Sequence, residues 1–149
     1  MTQQDIKAEV IAAMKAKDAV RLSVMRAISA ACTNELVSKE RGPDGVLSED
    51  EVMAIISRSA KQHKDSIEQF KSGGREDLVA SEQAELDILT GLLPTQMSRE
   101  EIVALVKAKI AEQGVTADQK NQFMGGLMKE LKGRADGTMV KEIVDASFA

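Results

Sequence analysis

Tryptophan and tyrosine are absent from this 149-residue chain, and phenylalanine occurs only three times. Stacking of unpaired bases needs exposed aromatic faces. Phe70, Phe123 and Phe148 all fall on apolar stripes, so single-strand binding by stacking is excluded as a main activity. One cysteine, Cys32, leaves no internal disulfide. It lies on a helical stripe, which predicts a buried free thiol and fits a reducing compartment. No stretch approaches the roughly 18 apolar residues that a membrane helix requires. The start, MTQQDIKAEV, has no apolar signal core. These absences predict a cytoplasmic protein without a membrane partner.

Charge of one sign is also missing as a block. The net charge is −4. Residues 1–97 carry 12 basic and 16 acidic side chains, and residues 98–149 carry 8 of each. There is no polybasic tail, so nucleic acid can be held only by a local patch.

The motifs of catalysis are few. No phosphate-cradling GxxxxGK[ST] or GxGxxG run occurs. One cysteine and one histidine cannot build a common zinc site. Glu49-Asp50-Glu51 lacks the spacing of a calcium loop and suits a helix start instead. Ser59 and His63 are four apart and share a helix face, but no acid is placed to orient the ring. Glu82, Glu85 and Asp87 read as the solvated side of an amphipathic helix. No catalytic residue, metal site or cofactor is expected.

What remains is helical. Without aromatics, the core must be aliphatic, with eight methionines and many alanines suited to close helix packing. The spacing predicts a first helix from about Thr2 to Lys17 on Ile6, Val10, Ile11 and Met14. A second, capped by Asp18, carries Leu22, Met25, Ile28, Cys32 and Leu36 to about Lys39. Gly42, Pro43 and Gly45 interrupt the pattern. Ser48 with Glu51 forms a capping box for a third helix, with Val52, Ile56, Ala60, His63, Ile67 and Phe70 on its stripe. Gly73-Gly74 ends it. A fourth helix bears Leu78, Val79, Ala84, Leu86, Ile88 and Leu89 and stops before Pro94.

Pro94 to Ser98 reads as a hinge, and Ser98 with Glu101 repeats the capping box. Three shorter helices follow, on Ile102, Val106 and Ile110, then Phe123 to Leu131, then Val140 to Phe148. The fold class is therefore all-α: an N-terminal four-helix part over residues 1–94 and a small C-terminal three-helix bundle over residues 98–149. A bundle of about 50 residues is marginal alone because it buries too little surface.

Two groups of cations stand out. Lys15, Lys17, Arg21 and Arg26 lie close together in sequence, opposed only by Asp18. Arg58, Lys61 and Lys64 recur on the third helix. Phosphate contacts need Lys and Arg on one face, although solvated helix faces look alike. The stretch KGRADG, Lys132 to Gly137, adds a third group. Gly133 suits a left-handed position after a helix, and Asp136 or Thr138 can cap the next one. Lys132 suits the negative end of a helix dipole. Arg134 has no such structural duty, and beside a helix start it could meet an anion.

These residues carry a resemblance to the GatB/YqeY family, and more closely to its free-standing YqeY-like proteins. It rests on KDSIEQFKSGGREDLVASEQAELDIL (Lys64–Leu89), LLPTQMSREEI (Leu92–Ile102) and FMGGLMKELKGRADGTMV (Phe123–Val140). These are the strongest segments of a resemblance that runs over nearly the whole chain, and together they are specific. The resemblance implies an all-α fold and kinship with the tail of the B subunit of the glutamine-dependent Glu/Asp tRNA amidotransferase, which helps hold tRNA. That subunit's catalytic cradle has no counterpart here. Lys132 to Gly137 match the family's turn motif, Arg75, Glu76 and Asp77 its RED segment, and Pro94 with Gln96 its hinge. Asn121 stands where glycine is common, Lys129 where proline is common, and His63 where a basic residue is usual. Lys129 adds a cation near the motif.

The resulting expectation is a non-catalytic module that binds tRNA. Lys132 and Arg134 would contact phosphate, with Lys129, Lys15, Lys17, Arg21 and Arg26 extending the surface. Gly133, Asp136 and Gly137 would hold the turn. The alternatives are a protein-interaction adaptor and an accessory component of a carbon–nitrogen ligase with glutamine as amido-N-donor.

Overall fold

The structure, a computed structural model, describes residues 1–149. It is all-α and contains no strand. Seven α-helices form: α1 (Gln3–Lys15), α2 (Ala19–Ser38), α3 (Glu49–Ser72), α4 (Glu76–Leu92), α5 (Arg99–Gln113), α6 (Lys120–Glu130) and α7 (Gly137–Ser147). A short 3-10 turn, Ala117–Gln119, leads into α6. The chain divides into two compact units, Met1–Leu93 and Pro94–Ala149.

Three of the four helix starts in the first unit have a side-chain cap, and α4 has none. Thr2 and Ser48 form complete capping boxes with Asp5 and Glu51. The Asp18 carboxylate accepts from the Arg21 N–H at 3.0 Å. Such caps satisfy backbone donors that the first turn leaves without partners. The first helix ends two residues earlier than its apolar pattern suggests. Lys17 takes a left-handed backbone, with φ of 58°, and turns the chain into α2.

Within this unit α1 packs on α2, α3 packs on α4, and α2 touches both α3 and α4. The core is aliphatic, as the lack of aromatics requires: Ile6, Met25, Ile28, Val52, Ile56 and Leu89 are essentially sealed from solvent. Two residues placed on the first stripe depart from it. Ile11 and Met14 are each 50% exposed, while Ala13 is buried. Among the helices only α2 packs extensively on α1, so the buried strip is narrower than the apolar pattern. Ala84, placed on the fourth stripe, is exposed, and Leu86 and Leu89 carry the burial there.

The loop before α3 is held by charge. Glu51 completes its capping box by accepting from the Ser48 N–H at 2.7 Å. The same carboxylate accepts from both terminal nitrogens of Arg41, at 2.9 and 2.8 Å, and from Lys39 at 2.6 Å. Leu47 is buried beneath this cluster's loop, and its N–H donates to Gln3 at 2.7 Å. The Arg41 and Lys39 hydrogen bonds, followed by that of Ser48, hold the Glu51 carboxyl far below the usual carboxylate range.

In the second unit α5 and α6 both pack on α7, around Ile102, Val106, Leu127, Val140 and Val144. Phe123 and Phe148 meet edge to face, with centroids 6.4 Å apart. Ser98 and Glu101 form the third capping box, and Gly114 ends α5 in the left-handed region, with φ of 61°. The Asp136 carboxylate caps α7, accepting from the Thr138 N–H at 2.8 Å.

Two measurements check these assignments. A carboxylate whose pKa is lowered on folding stabilises the protein above its unfolded pKa and loses that contribution as pH falls. Thermal unfolding followed between pH 7 and pH 3 should show stability declining below about 4.3, the value of a free glutamate. Glu51→Gln should be less stable at pH 7 and flatter across that window. Asp136→Ala should cost about 1 kcal/mol in denaturant unfolding, and Asp136→Asn, which keeps the acceptor, clearly less.

Candidate functional site

The KGRADG stretch is a turn pinned from the inside. After α6, the Leu131 carbonyl accepts from the N–H groups of Arg134 and Ala135, at 2.9 and 3.1 Å. Gly133 takes φ of 79°, a left-handed conformation that glycine adopts without the side-chain penalty of other residues. The segment before α5 closes over the turn. Gln96 donates its amide to the Gly133 carbonyl at 2.7 Å and to the Pro94 carbonyl at 2.8 Å. The Met97 N–H donates to the Arg134 carbonyl at 2.8 Å. Gly137 opens α7, and a methyl group there would meet Met128 at 3.4 Å, an ordinary contact.

The backbone of the turn is thus committed inward while its cations are left outside. Lys132 and Arg134 are exposed, as is Lys129 in the last turn of α6. None of the three pairs with a carboxylate. Three other cations of this unit do: Arg99 with Glu142, Lys109 with Glu130, and Lys120 with Asp145. Lys107 and Lys141 are also exposed and unpaired, but they lie away from the turn in sequence. On α6, Gly125 and Gly126 lie four and three residues before Lys129 and so share its face. Both are exposed, and a side chain added at either would meet nothing within 4 Å.

The N-terminal basic group does not form a free patch of four. Lys15 and Lys17 are exposed and unpaired. Arg21 turns back to α1 and donates to Glu9 at 3.0 Å through its Nε. Arg26 lies with a terminal nitrogen 3.6 Å from the Met14 sulfur. Arg58 faces Glu35 at 3.6 Å, leaving Lys61 and Lys64 exposed without ion pairs. Arg75 pairs with Asp77 at 3.3 Å, which holds the Asp77 carboxyl below its usual range.

One cluster escaped the sequence reading. His63 does have acids beside its ring: Glu82 lies 2.5 Å from Nδ1 and Glu85 lies 3.5 Å from Nε2. The two glutamates are half-buried against α3 and do not form a freely solvated face. Their spacing of three residues was visible in the sequence, but the partner ring comes from another helix. Cys32 is buried as expected, and that burial, followed by the nearby Glu35, pushes its thiol pKa up. A raised pKa disfavours the reactive thiolate.

Residues 3–148 match the family described as YqeY, Yqey-like protein. Among curated proteins the chain is similar to "Altered inheritance of mitochondria protein 41, mitochondrial" of Pyrenophora tritici-repentis. The two are 32% identical over 133 residues, which covers 87% of this chain and 71% of that protein. The protein of the same name from Lachancea thermotolerans is 33% identical over 111 residues, or 72% of this chain and 57% of its own length. The Saccharomyces cerevisiae one is 35% identical over 85 residues, or 56% of this chain and 44% of its own length. The chain thus spans between under half and about seven tenths of these relatives. The expectation of a cytoplasmic protein is overturned here, because all three relatives are named as mitochondrial. No helix is long and apolar enough to cross a membrane. By the match over residues 3–148, the chain belongs to the Yqey-like protein family.

Proposed function

We propose that the chain is a non-catalytic tRNA-binding module, which takes hold of phosphates through the end of α6 and the turn that follows. The observation that carries this reading is the cluster of Lys129, Lys132 and Arg134, all exposed and unpaired beside a rigid turn. Cations already engaged by carboxylates would have to give up those partners to reach a phosphate. These three would not.

The glycine pair supports the same surface. An exposed mid-helix glycine costs roughly 0.5–1 kcal/mol relative to alanine. Packing within the chain does not account for Gly125 and Gly126, since added side chains would meet open space. On a face beside Lys129 they would let a sugar–phosphate backbone approach the helix closely. The resemblance to the tail of the amidotransferase B subunit supports tRNA over other polyanions. Recognition would be by shape and phosphates, since the aromatic platforms for base stacking are missing.

The test is the affinity of the full chain for a tRNA mixture, measured at several salt concentrations. Binding should weaken steeply with salt, and each of Lys129→Ala, Lys132→Ala and Arg134→Ala should reduce the logarithmic salt slope by roughly one. Gly126→Leu should weaken binding at unchanged salt slope. Absence of binding at low salt, or unchanged binding in the triple variant, would sink the proposal. A stoichiometric, nuclease-resistant protein partner whose binding is lost in the triple variant would put an adaptor in its place. Turnover of misacylated tRNA with glutamine and ATP, once other subunits are added, would instead make it a ligase component.

A further inference from the structure

The Gly73-Gly74 turn folds α4 back along α3 and sets His63 between Glu82 and Glu85. The two glutamates are three residues apart and project from one face of α4. The side chains of His63, Glu82 and Glu85 are 20%, 25% and 28% exposed, so all three are largely withdrawn from water. No lysine or arginine pairs with either carboxylate. One donor atom from each of the three residues lies within 4.8 Å of the others. Two carboxylates drawn this close in a partly buried setting repel each other unless a cation joins them.

The two distances to the ring differ in kind. Nδ1 and Glu82 are 2.5 Å apart, in direct contact and closer than an ordinary N–H···O bond. Nε2 and Glu85 are 3.5 Å apart, beyond an ordinary N–H···O bond of about 2.7–3.2 Å. In the neutral tautomer that donates Nδ1–H to Glu82, the Nε2 lone pair faces the Glu85 carboxylate, acceptor to acceptor. Two ligands on one tetrahedral ion, each about 2.0–2.1 Å from it, stand roughly 3.4 Å apart. The Nε2 to Glu85 spacing is close to that. A carboxylate behind the other ring nitrogen is what fixes a metal-binding histidine in the required tautomer.

We propose that His63 and Glu85 bind a divalent zinc-class cation across α3 and α4, with Glu82 as the positioning residue behind the imidazole. One imidazole and one carboxylate suit a borderline ion such as Zn²⁺ or Co²⁺ better than Mg²⁺, which takes oxygen ligands. Two protein ligands leave the remaining positions to water, so the ion is exchangeable. It joins two helices of the same unit, and its binding therefore stabilises that unit.

Cobalt titration of the full chain tests this directly. Co²⁺ should give a visible d–d absorption that saturates at one equivalent and is abolished by Zn²⁺. Zn²⁺ at about a hundredfold excess over its dissociation constant should raise Tm by on the order of 10 °C. His63→Arg keeps a cation between the carboxylates and so preserves the fold, but should lose both signals. Glu85→Gln should weaken Co²⁺ at least tenfold, and Cys32→Ser should leave it unchanged. An absent band, a band that survives His63→Arg, or one lost in Cys32→Ser would each overturn the proposal. An absent band together with a lower Tm in Glu85→Gln would identify a proton, and no metal, as the bridge.

Discussion

A helix leaves backbone donors at its start and acceptors at its end without partners, and this fold depends on how those groups are matched. The pressure is greatest in the C-terminal unit, whose helices are short and whose core is small. There the turn after α6 supplies the carbonyls of Leu131, Gly133 and Arg134. Arg134 and Ala135, Gln96 and Met97 supply the donors. The segment around Pro94–Met97 has no regular structure, yet it is fixed because it completes the end of a helix elsewhere in the same unit. Two stretches far apart in sequence, PTQM and KGRADG, are halves of one joint. The carbonyls of Leu131, Gly133 and Arg134 are thus occupied within the protein, while the cations of the turn face outward.

How much of this could be read from sequence followed the range of each interaction. Ser48 with Glu51 and Ser98 with Glu101 were legible because a capping box is complete within four residues. Gly133 and Asp136 were legible for the same reason. The stripes of α2 and α3 were clear because several neighbours cover each of those helices. On α1 the apolar pattern was wider than the strip α2 covers, and nothing in the sequence of α1 shows how much its partner hides. The extra duty of Glu51 as the partner of Arg41 and Lys39 depended on the path of an irregular loop.

Ion pairs between helices were the least legible class. Glu9 and Arg21 are twelve residues apart, and His63 and Glu82 nineteen. Glu9, Arg21 and Glu82 lie on polar-looking positions of their own helices, whereas His63 sits on the apolar stripe of α3. Their meeting depends on the phase of two helices about their axes and on the turn between them. A list of cations by sequence proximity therefore joined Arg21 and Arg26 to Lys15 and Lys17, although α2 directs the first two toward different neighbours on α1. Compartment was beyond reach for another reason. Composition and a short N-terminal stretch carry little of that information, and only the named relatives corrected it.

The distribution of charge along the chain narrows where an anion can be met. The excess of carboxylates lies entirely within residues 1–97, and residues 98–149 are neutral. In the neutral region three of the eight cations are engaged by Glu142, Glu130 and Asp145. That pairing also occupies three of its carboxylates, so it leaves a surplus of neither sign. Capping constrains the rest unevenly. Glu101 and Asp136 are turned onto backbone N–H groups, whereas Lys129, Lys132 and Arg134 have no acceptor. A region with no net charge can still present a locally positive surface where unpaired cations gather, as Lys129, Lys132 and Arg134 do around one turn. Arg134 follows the same logic: its carbonyl is used by the fold, and its guanidinium is not.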